Sequence, residues 1–254
     1  MICYVSTYLL PDQVRPEELT GGVAVVIDVL RATTTITRAL SEGATAVIPC
    51  GEIEPARSLA GSYPPGTVLL GGERGGQPIA GFDLGNAPVE YSRDRVEGKT
   101  VVMTTTNGTR ALLRAETAER VLVAAFANLT AVVTALAGER RSIHLLCSGS
   151  EGEVSLEDTL LAGAIASRLA ATRTDIRLSE ASLLARTLFE GSGRLENDRL
   201  ALFRSARGGQ TLLQIGREDD LLWAARCDTS TVVPERSGTA IVAAVGAGRA
   251  ASGR

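Results

Sequence analysis

Four stretches of the chain concentrate side chains that could do chemistry. The first is Asp28-Val29-Leu30-Arg31-Ala32-Thr33-Thr34-Thr35, which follows the apolar run Val23 to Ile27 and opens a helix-like pattern. A helix start offers free N–H groups and the positive end of the helix dipole, which suits a phosphate. The Thr33 and Thr34 hydroxyls add donors, and Arg31 can grip an oxyanion with two bonds. Asp28 would repel a phosphate but suits a metal ion. The same residue types are preferred helix caps, so a purely structural reading stands beside the functional one. The second stretch, Thr104-Thr105-Thr106-Asn107-Gly108-Thr109-Arg110, again sits between a strand pattern and a helix pattern. A run of threonines straight after an apolar strand is unusual for a plain Asn-Gly turn, so an anion site at Thr105 to Arg110 is the favoured reading.

The third stretch runs from Gly71 to Pro88 and is Gly-rich, with Glu73, Arg74, Asp83 and Asn86 embedded in it. Loops this long without structure of their own are usually functional or disordered, and the charged residues argue for function. The fourth is Cys147-Ser148-Gly149-Ser150-Glu151-Gly152-Glu153, leading into Ser155-Leu156-Glu157-Asp158. Ser155 followed three residues later by Asp158 has the spacing of a capped helix start. Ser148 and Gly149 join the candidate substrate contacts.

Elimination narrows the chemistry. His144 is the only histidine, which excludes histidine phosphatases and His-rich binuclear phosphoesterases; its place in a strand pattern makes it a core residue. Arg57 comes one residue too late after Cys50 for a Cys-x5-Arg phosphatase loop, and Glu153 holds the Arg position after Cys147. Asp28 has no second Asp two residues on, so the aspartyl-phosphate motif is absent, and no Walker lysine motif occurs. Gly246-Ala247-Gly248-Arg249-Ala250-Ala251 mimics a dinucleotide fingerprint but lacks a following helix and strand. What remains is carboxylates, hydroxyls and arginines. Hard oxygen ligands beside phosphate-binding groups fit Mg²⁺ better than zinc. Asp28 and Glu73 are the expected metal carboxylates, with Asp83 and Glu157 as helpers; Asp28, Glu73 and Asp158 are the catalytic candidates. Arg31 and Arg110 are expected to hold the two anionic ends of a substrate.

The elements that must position these groups alternate. Short apolar runs at 23–27, 45–49, 67–70, 100–104, 120–124 and 142–147 read as strands buried on both faces. Helical patterns lie near 33–43, 52–60, 107–115, 127–138 and 155–171. Strand–helix alternation implies a three-layer α/β/α fold around a mainly parallel sheet. Residues 1–254 read as a single α/β domain, more helical from about 175, with strand-like segments at 231–234 and 240–245 and a Gly/Ala-rich, frayed tail from Gly246. The polar segments at 28–35 and 104–110 resemble each other, as a duplicated unit or as two strand ends with similar roles.

With 254 residues there is enough chain for a sizeable core. A net charge of −3 and scattered arginines argue against a nucleic-acid partner. No run approaches the roughly 20 apolar residues of a membrane span, and the N-terminus lacks the pattern of a signal peptide, so a cytoplasmic protein is expected. Cys3, Cys50, Cys147 and Cys227 are far apart in sequence, and disulfides are not expected. Homodimer formation is left open.

Five blocks in order resemble the 2-phosphosulfolactate phosphatase family: Asp28-Val29-Leu30-Arg31-Ala32-Thr33-Thr34, Gly71-Gly72-Glu73-Arg74, Gly81-Phe82-Asp83-Leu84-Gly85-Asn86, Thr104-Thr105-Thr106-Asn107-Gly108-Thr109 and Ser155-Leu156-Glu157-Asp158. They span roughly residues 23 to 160, with looser similarity around Asp219, Asp220, Asp228 and Val233-Pro234. The resemblance implies a three-layer α/β fold and magnesium-dependent hydrolysis of a phosphate ester on a sulfonated lactate. A non-catalytic sensor of a phosphorylated acid and a phosphotransferase are the alternatives. A pure anion binder would gain nothing from Asp28 and Glu73 beside its ligand, since like charges repel.

Overall fold

The computed structural model describes residues 2–244. In chain order the strands are β1 (Cys3–Tyr8), β2 (Val23–Ile27), β3 (Ala46–Pro49), β4 (Val68–Arg74), β5 (Gln77–Pro78), β6 (Thr100–Thr104), β7 (Arg120–Ala124), β8 (Ile143–Cys147), β9 (Ile176–Leu178), β10 (Pro234–Ser237) and β11 (Ala240–Ala243). The helices are α1 (Ala32–Ser41), α2 (Ile53–Gly61), α3 (Arg93–Val96), α4 (Gly108–Arg114), α5 (Leu129–Leu136), α6 (Leu156–Thr172), α7 (Glu180–Ser192), α8 (Glu196–Ser205), α9 (Arg207–Gln214) and α10 (Glu218–Ala225).

The strands form one sheet in the order β5-β4-β6-β3-β11-β10-β7-β2-β8-β1-β9. β4, β6 and β3 are mutually parallel, as are β7, β2, β8, β1 and β9. The β10–β11 hairpin joins these two parallel sets, pairing antiparallel with β7 through Glu235 and with β3 through Ile241. The fold is therefore α/β with a mainly parallel, mixed sheet.

Alternation along β2 shows why there are three layers. Val23, Val25 and Ile27 pack into a core under α5 to α10, while Ala24 and Val26 pack into a core under α1 and α4. An apolar run can serve both because successive strand side chains point to opposite faces. Each parallel strand then delivers its last residue to one edge of the sheet, where the polar stretches follow.

Four expectations need correction. The apolar pattern marks no strand at β1, and none at β9, which falls in the stretch from about 175 read as mostly helical. The Gly71–Pro78 segment is not all loop: β4 continues through Arg74 and turns back as β5. The late strand begins at Pro234, so 231–233 precede it. The tail from Gly246 lies outside the described residues.

Candidate active site

The turns after β2, β4, β6 and β8 meet at a cleft of about 90 Å³. Asp28, Arg31, Glu73, Asn86, Thr105, Thr106 and Asn107 line it, together with Leu30, Gly75, Gly76, Ser150 and Glu151. Gly208, Thr211 and Leu212 of α9 form its remaining wall. This is the location expected of a parallel sheet, beyond the carboxyl ends of its strands.

Asp28 is the buried centre. Its Oδ1 accepts from the Ala32 amide at 3.1 Å, so the carboxylate caps α1. Burial pushes its pKa up to about 6, against the Ala32 and Ser148 hydrogen bonds, with the Glu73 and Glu157 charges adding to the rise. Gly108 explains how α4 comes so close: a Cβ there would lie 2.6 Å from Asp28 Oδ2 and 2.5 Å from the Ala32 methyl.

Beneath the cleft lie two more buried acids. Asp158 accepts from the Val29 amide (2.8 Å), the Gly149 amide (3.2 Å) and the Ser148 hydroxyl (3.1 Å). It clamps the end of β2 to the end of β8 while Ser155 caps its own helix. Burial raises its pKa well above the ordinary carboxylate value, and Asp28 and Glu157 raise it further. Glu157 is also raised by burial, and its Oε1 sits under Gly208, where a Cβ would come within 2.6 Å of it.

Arg31 is 5% exposed and lies at the cleft wall. One terminal nitrogen donates to Asp220 at 2.7 Å and the other to the Gly76 carbonyl at 2.9 Å. Three of its five N–H donors have no partner named by these bonds and remain for a ligand. Asp220 is itself 1% exposed, and burial raises its pKa against the pull of Arg31. The Glu73 carboxylate ties two turns together: Oε1 accepts from the Thr106 amide (2.8 Å) and Oε2 from the Gly76 amide (2.7 Å). Asn86 Oδ1 is buried without a partner.

Several expected contacts lie elsewhere. Thr33 and Thr34 do not present their hydroxyls to the cleft; inside the first turn of α1 they donate back to the carbonyls of Asp28 and Val29 at 2.8 Å, so they fasten the turn and are not helix caps. Thr109 is turned to Thr105, at 3.0 Å between hydroxyls. Arg74 props the cleft from outside through the Gly51 carbonyl and the Thr104 hydroxyl. Ser148 and Gly149 serve Asp158. Asp83 is exposed, and its Oδ2 accepts from the Leu70 amide, so it closes a turn rather than joining the acids of the cleft. Arg110 is 61% exposed and 3.8 Å from Asp12, on the outer side of α4. Among the described residues no three carboxylates, thiols or imidazoles are placed to hold a metal ion by themselves.

His144 lies in β8 as expected, buried against Tyr8. The four cysteines are free, and Cys147 is fully buried with its pKa raised by burial, which makes it a poor nucleophile. Asp220, Glu151 and Gly208 are the residues that sequence reasoning missed. Asp220 had a faint signal in the looser C-terminal similarity.

Comparison with known proteins adds the lineage. Residues 8–239 match the family model described as 2-phosphosulpholactate phosphatase. A protein of Symbiobacterium thermophilum is 44% identical over 219 residues, covering 86% of this chain and 92% of its own. One from a Synechococcus strain is 42% identical over 242 residues, covering 94% and 98%. One from Deinococcus radiodurans is 43% identical over 228 residues, covering 89% and 90%. All three carry the name probable 2-phosphosulfolactate phosphatase.

Proposed function

The chain belongs to the 2-phosphosulfolactate phosphatase family, a family of phosphoric monoester hydrolases, and we propose that its cleft hydrolyses 2-phosphosulfolactate to sulfolactate and phosphate with the help of Mg²⁺. One observation carries the metal part of the reading: the cleft is acidic, yet its substrate is a polyanion. Asp28, Glu73 and Glu151 line it; Glu151 is paired with Arg207 and the one cation among the described lining residues, Arg31, with Asp220, which leaves Asp28 and Glu73 as the acids without an ion-pair partner. A phosphate ester would be repelled from such a site unless a cation came with it.

The donors present fit that cation. They are oxygens only, which favours a hard ion, and the orphaned Asn86 Oδ1 is an acceptor in want of a positive partner. Asp28 and Asn86 would hold it. Mg²⁺ is commonly bound by one or two carboxylates, completed by waters and substrate phosphate oxygens, so the lack of a three-residue protein cage agrees with this reading. When bound, the ion supplies charge neutralisation at the phosphate oxygens and helps orient the attacking group.

The rest falls to the chain itself. Arg31, held at fixed orientation by Asp220 and Gly76, offers its free donors to an anionic group of the substrate. Glu73 keeps the Thr106 and Gly76 turns in place on either side of the phosphate. Thr106 and Asn107 provide further polar contacts. A cytoplasmic setting goes with this reading, supported by four unpaired cysteines and by the absence, among the described residues, of any helix long and apolar enough to cross a membrane.

The test is phosphate release from 2-phosphosulfolactate and from 2-phospholactate, each with Mg²⁺ and with EDTA. The expected result is Mg²⁺-dependent release, faster for the sulfonated ester. Full turnover in EDTA would overturn the metal assignment. No release from any phosphate ester would overturn the hydrolase.

A further inference from the structure

Arg207 opens α9 and is paired twice, with Glu151 through one terminal nitrogen and with Glu153 at 2.8 Å through the other. Both acids sit on one tight turn after β8. Ser150 and Glu153 exchange backbone bonds at 2.9 and 3.0 Å, and Glu151 and Gly152 between them take positive φ of 52° and 82°. All three charged side chains are exposed. Glu151 lines the cleft, as does Gly208, the next residue after Arg207, so the guanidinium stands at the rim.

Two features argue against a purely structural pair. A cation in the first turn of a helix is opposed by the helix dipole, and α9 has no acid of its own there to offset it. Two carboxylates on one guanidinium also leave this corner net acidic, at the mouth of a site for a polyanion. Exposed ion pairs contribute little to stability, so exchanging one partner for another costs little. The cleft, moreover, does not hold the whole ester. At roughly 10–15 Å³ per water-sized atom its space of about 90 Å³ takes about six to nine non-hydrogen atoms, roughly half of 2-phosphosulfolactate. In the sheet β6 and β8 lie on opposite sides of β2. With the phosphate at the turns after β4 and β6, the rest of the ester leads toward the turn after β8 and α9. Of its other two anionic groups the sulfonate reaches farther, since its oxygens lie one bond farther from the ester-bearing carbon than those of the carboxylate.

We propose that Arg207 determines specificity for the sulfonated ester: when the substrate binds, its guanidinium leaves Glu151 and takes the sulfonate, while Arg31 holds an inner anionic group. The assignment rests on the reading of the cleft as a site for such an ester. Glu153 remains to steady the guanidinium during the exchange, and the planar fork of an arginine suits an oxyanion that accepts two bonds.

Phosphate release from 2-phosphosulfolactate and from 2-phospholactate would be followed in the parent, in Arg207→Gln and in Glu151→Gln. Arg207→Gln should lower kcat/KM for the sulfonated ester about tenfold or more, chiefly through KM, and leave that for the unsulfonated ester within about twofold. Glu151→Gln removes the competing carboxylate and should lower KM for the sulfonated ester severalfold. A clasp that only braced the two walls of the cleft would behave otherwise, since breaking it from either side would weaken both esters alike. Equal loss on the two esters in Arg207→Gln, or a raised KM for the sulfonated ester in Glu151→Gln, would overturn the role of Arg207 and leave the hydrolase standing. No release from either ester by the parent would instead overturn the reading beneath it, and this assignment with it.

Discussion

Asp28 carries a conflict between folding and chemistry. It is a buried carboxylate, raised to about 6 chiefly by burial, with one oxygen capping α1. Asn at this position keeps an oxygen for the Ala32 amide and removes the buried charge. Asp28→Asn should therefore stabilise the metal-free protein at pH 7.5 by on the order of 1–3 kcal/mol, while abolishing turnover. Thermal unfolding and phosphate release on the same samples check both halves; a variant that is less stable and still active would refute the assignment. Asp220→Asn tests the Arg31 grip. It leaves a neutral partner for the guanidinium and should raise KM more than it lowers kcat, whereas an equal fall in kcat alone would mean that the pair acts in the transition state only. Arg110→Ala should change neither constant, since the side chain is 61% exposed and away from the cleft. Asp28, Arg31 and Asn86 were legible in the sequence because they follow strand-like or Gly-rich stretches that end at one sheet edge. Arg110 misled because adjacency along a helix is not adjacency in space: two positions beyond Gly108, it points about 200° around the axis. Asp220 was illegible as a partner, since it lies 189 residues from Arg31 and an acid in the first turn of a helix is ordinary.

Between elements, α4 approaches the turn after β2 closely at the site, and the approach depends on Gly108. An added Cβ would meet Asp28 Oδ2 at 2.6 Å and the Ala32 methyl at 2.5 Å, closer than real side chains come. Gly108→Ala must push α4 or Asp28 aside, so activity should fall by at least tenfold, misplacement of a catalytic group being enough for that. Near-UV circular dichroism would show whether the fold is kept; a folded, fully active variant would mean that the contact is slack. Six strands were readable because continuous apolar runs leave few alternatives, and β2, β6, β7 and β8 are indeed buried on both faces, whereas Val68 to Leu70 of β4 are only half-buried. β1 was not, because Cys-Tyr-Val-Ser-Thr-Tyr has no continuous apolar run and begins at Cys3, in a stretch read only for targeting signals. β10, Pro-Glu-Arg-Ser, has little strand propensity of its own. Its place in the sheet comes from tertiary partners, above all the paired bonds from Arg120 to Glu235 at 2.9 and 2.8 Å.

At the scale of the whole molecule the buried acids set how stability responds to pH and to metal. Asp28 has a folded pKa of about 6 against an ordinary 3.8. Between those values the folded chain holds more protons than the unfolded chain, so stability falls as pH rises through the window. Glu157, Asp158 and Asp220 are shifted the same way by burial. Glu139 runs the other way: hydrogen bonds from Arg141 hold it at about 2, so its contribution is present above its usual 4.5 and lost as pH falls toward 2. The metal-free protein should thus be most stable near about pH 4, where the two opposing effects meet, and lose Tm as pH rises from there through about 6. A cation that binds only the folded site should reverse the loss. At one hundred times its Kd it adds about 2.7 kcal/mol, which for a chain of this size is roughly 5–10 °C in Tm. Asp28→Asn should flatten both the pH slope and the Mg²⁺ response. Scanning calorimetry of parent and variant from pH 4.5 to 8, with EDTA and with Mg²⁺, measures this directly. A metal-free Tm that climbs steadily to pH 8, together with indifference to Mg²⁺ at pH 7.5, would mean that these acids are neutralised within the protein, and the cleft would then have no need of a cation to accept a phosphate.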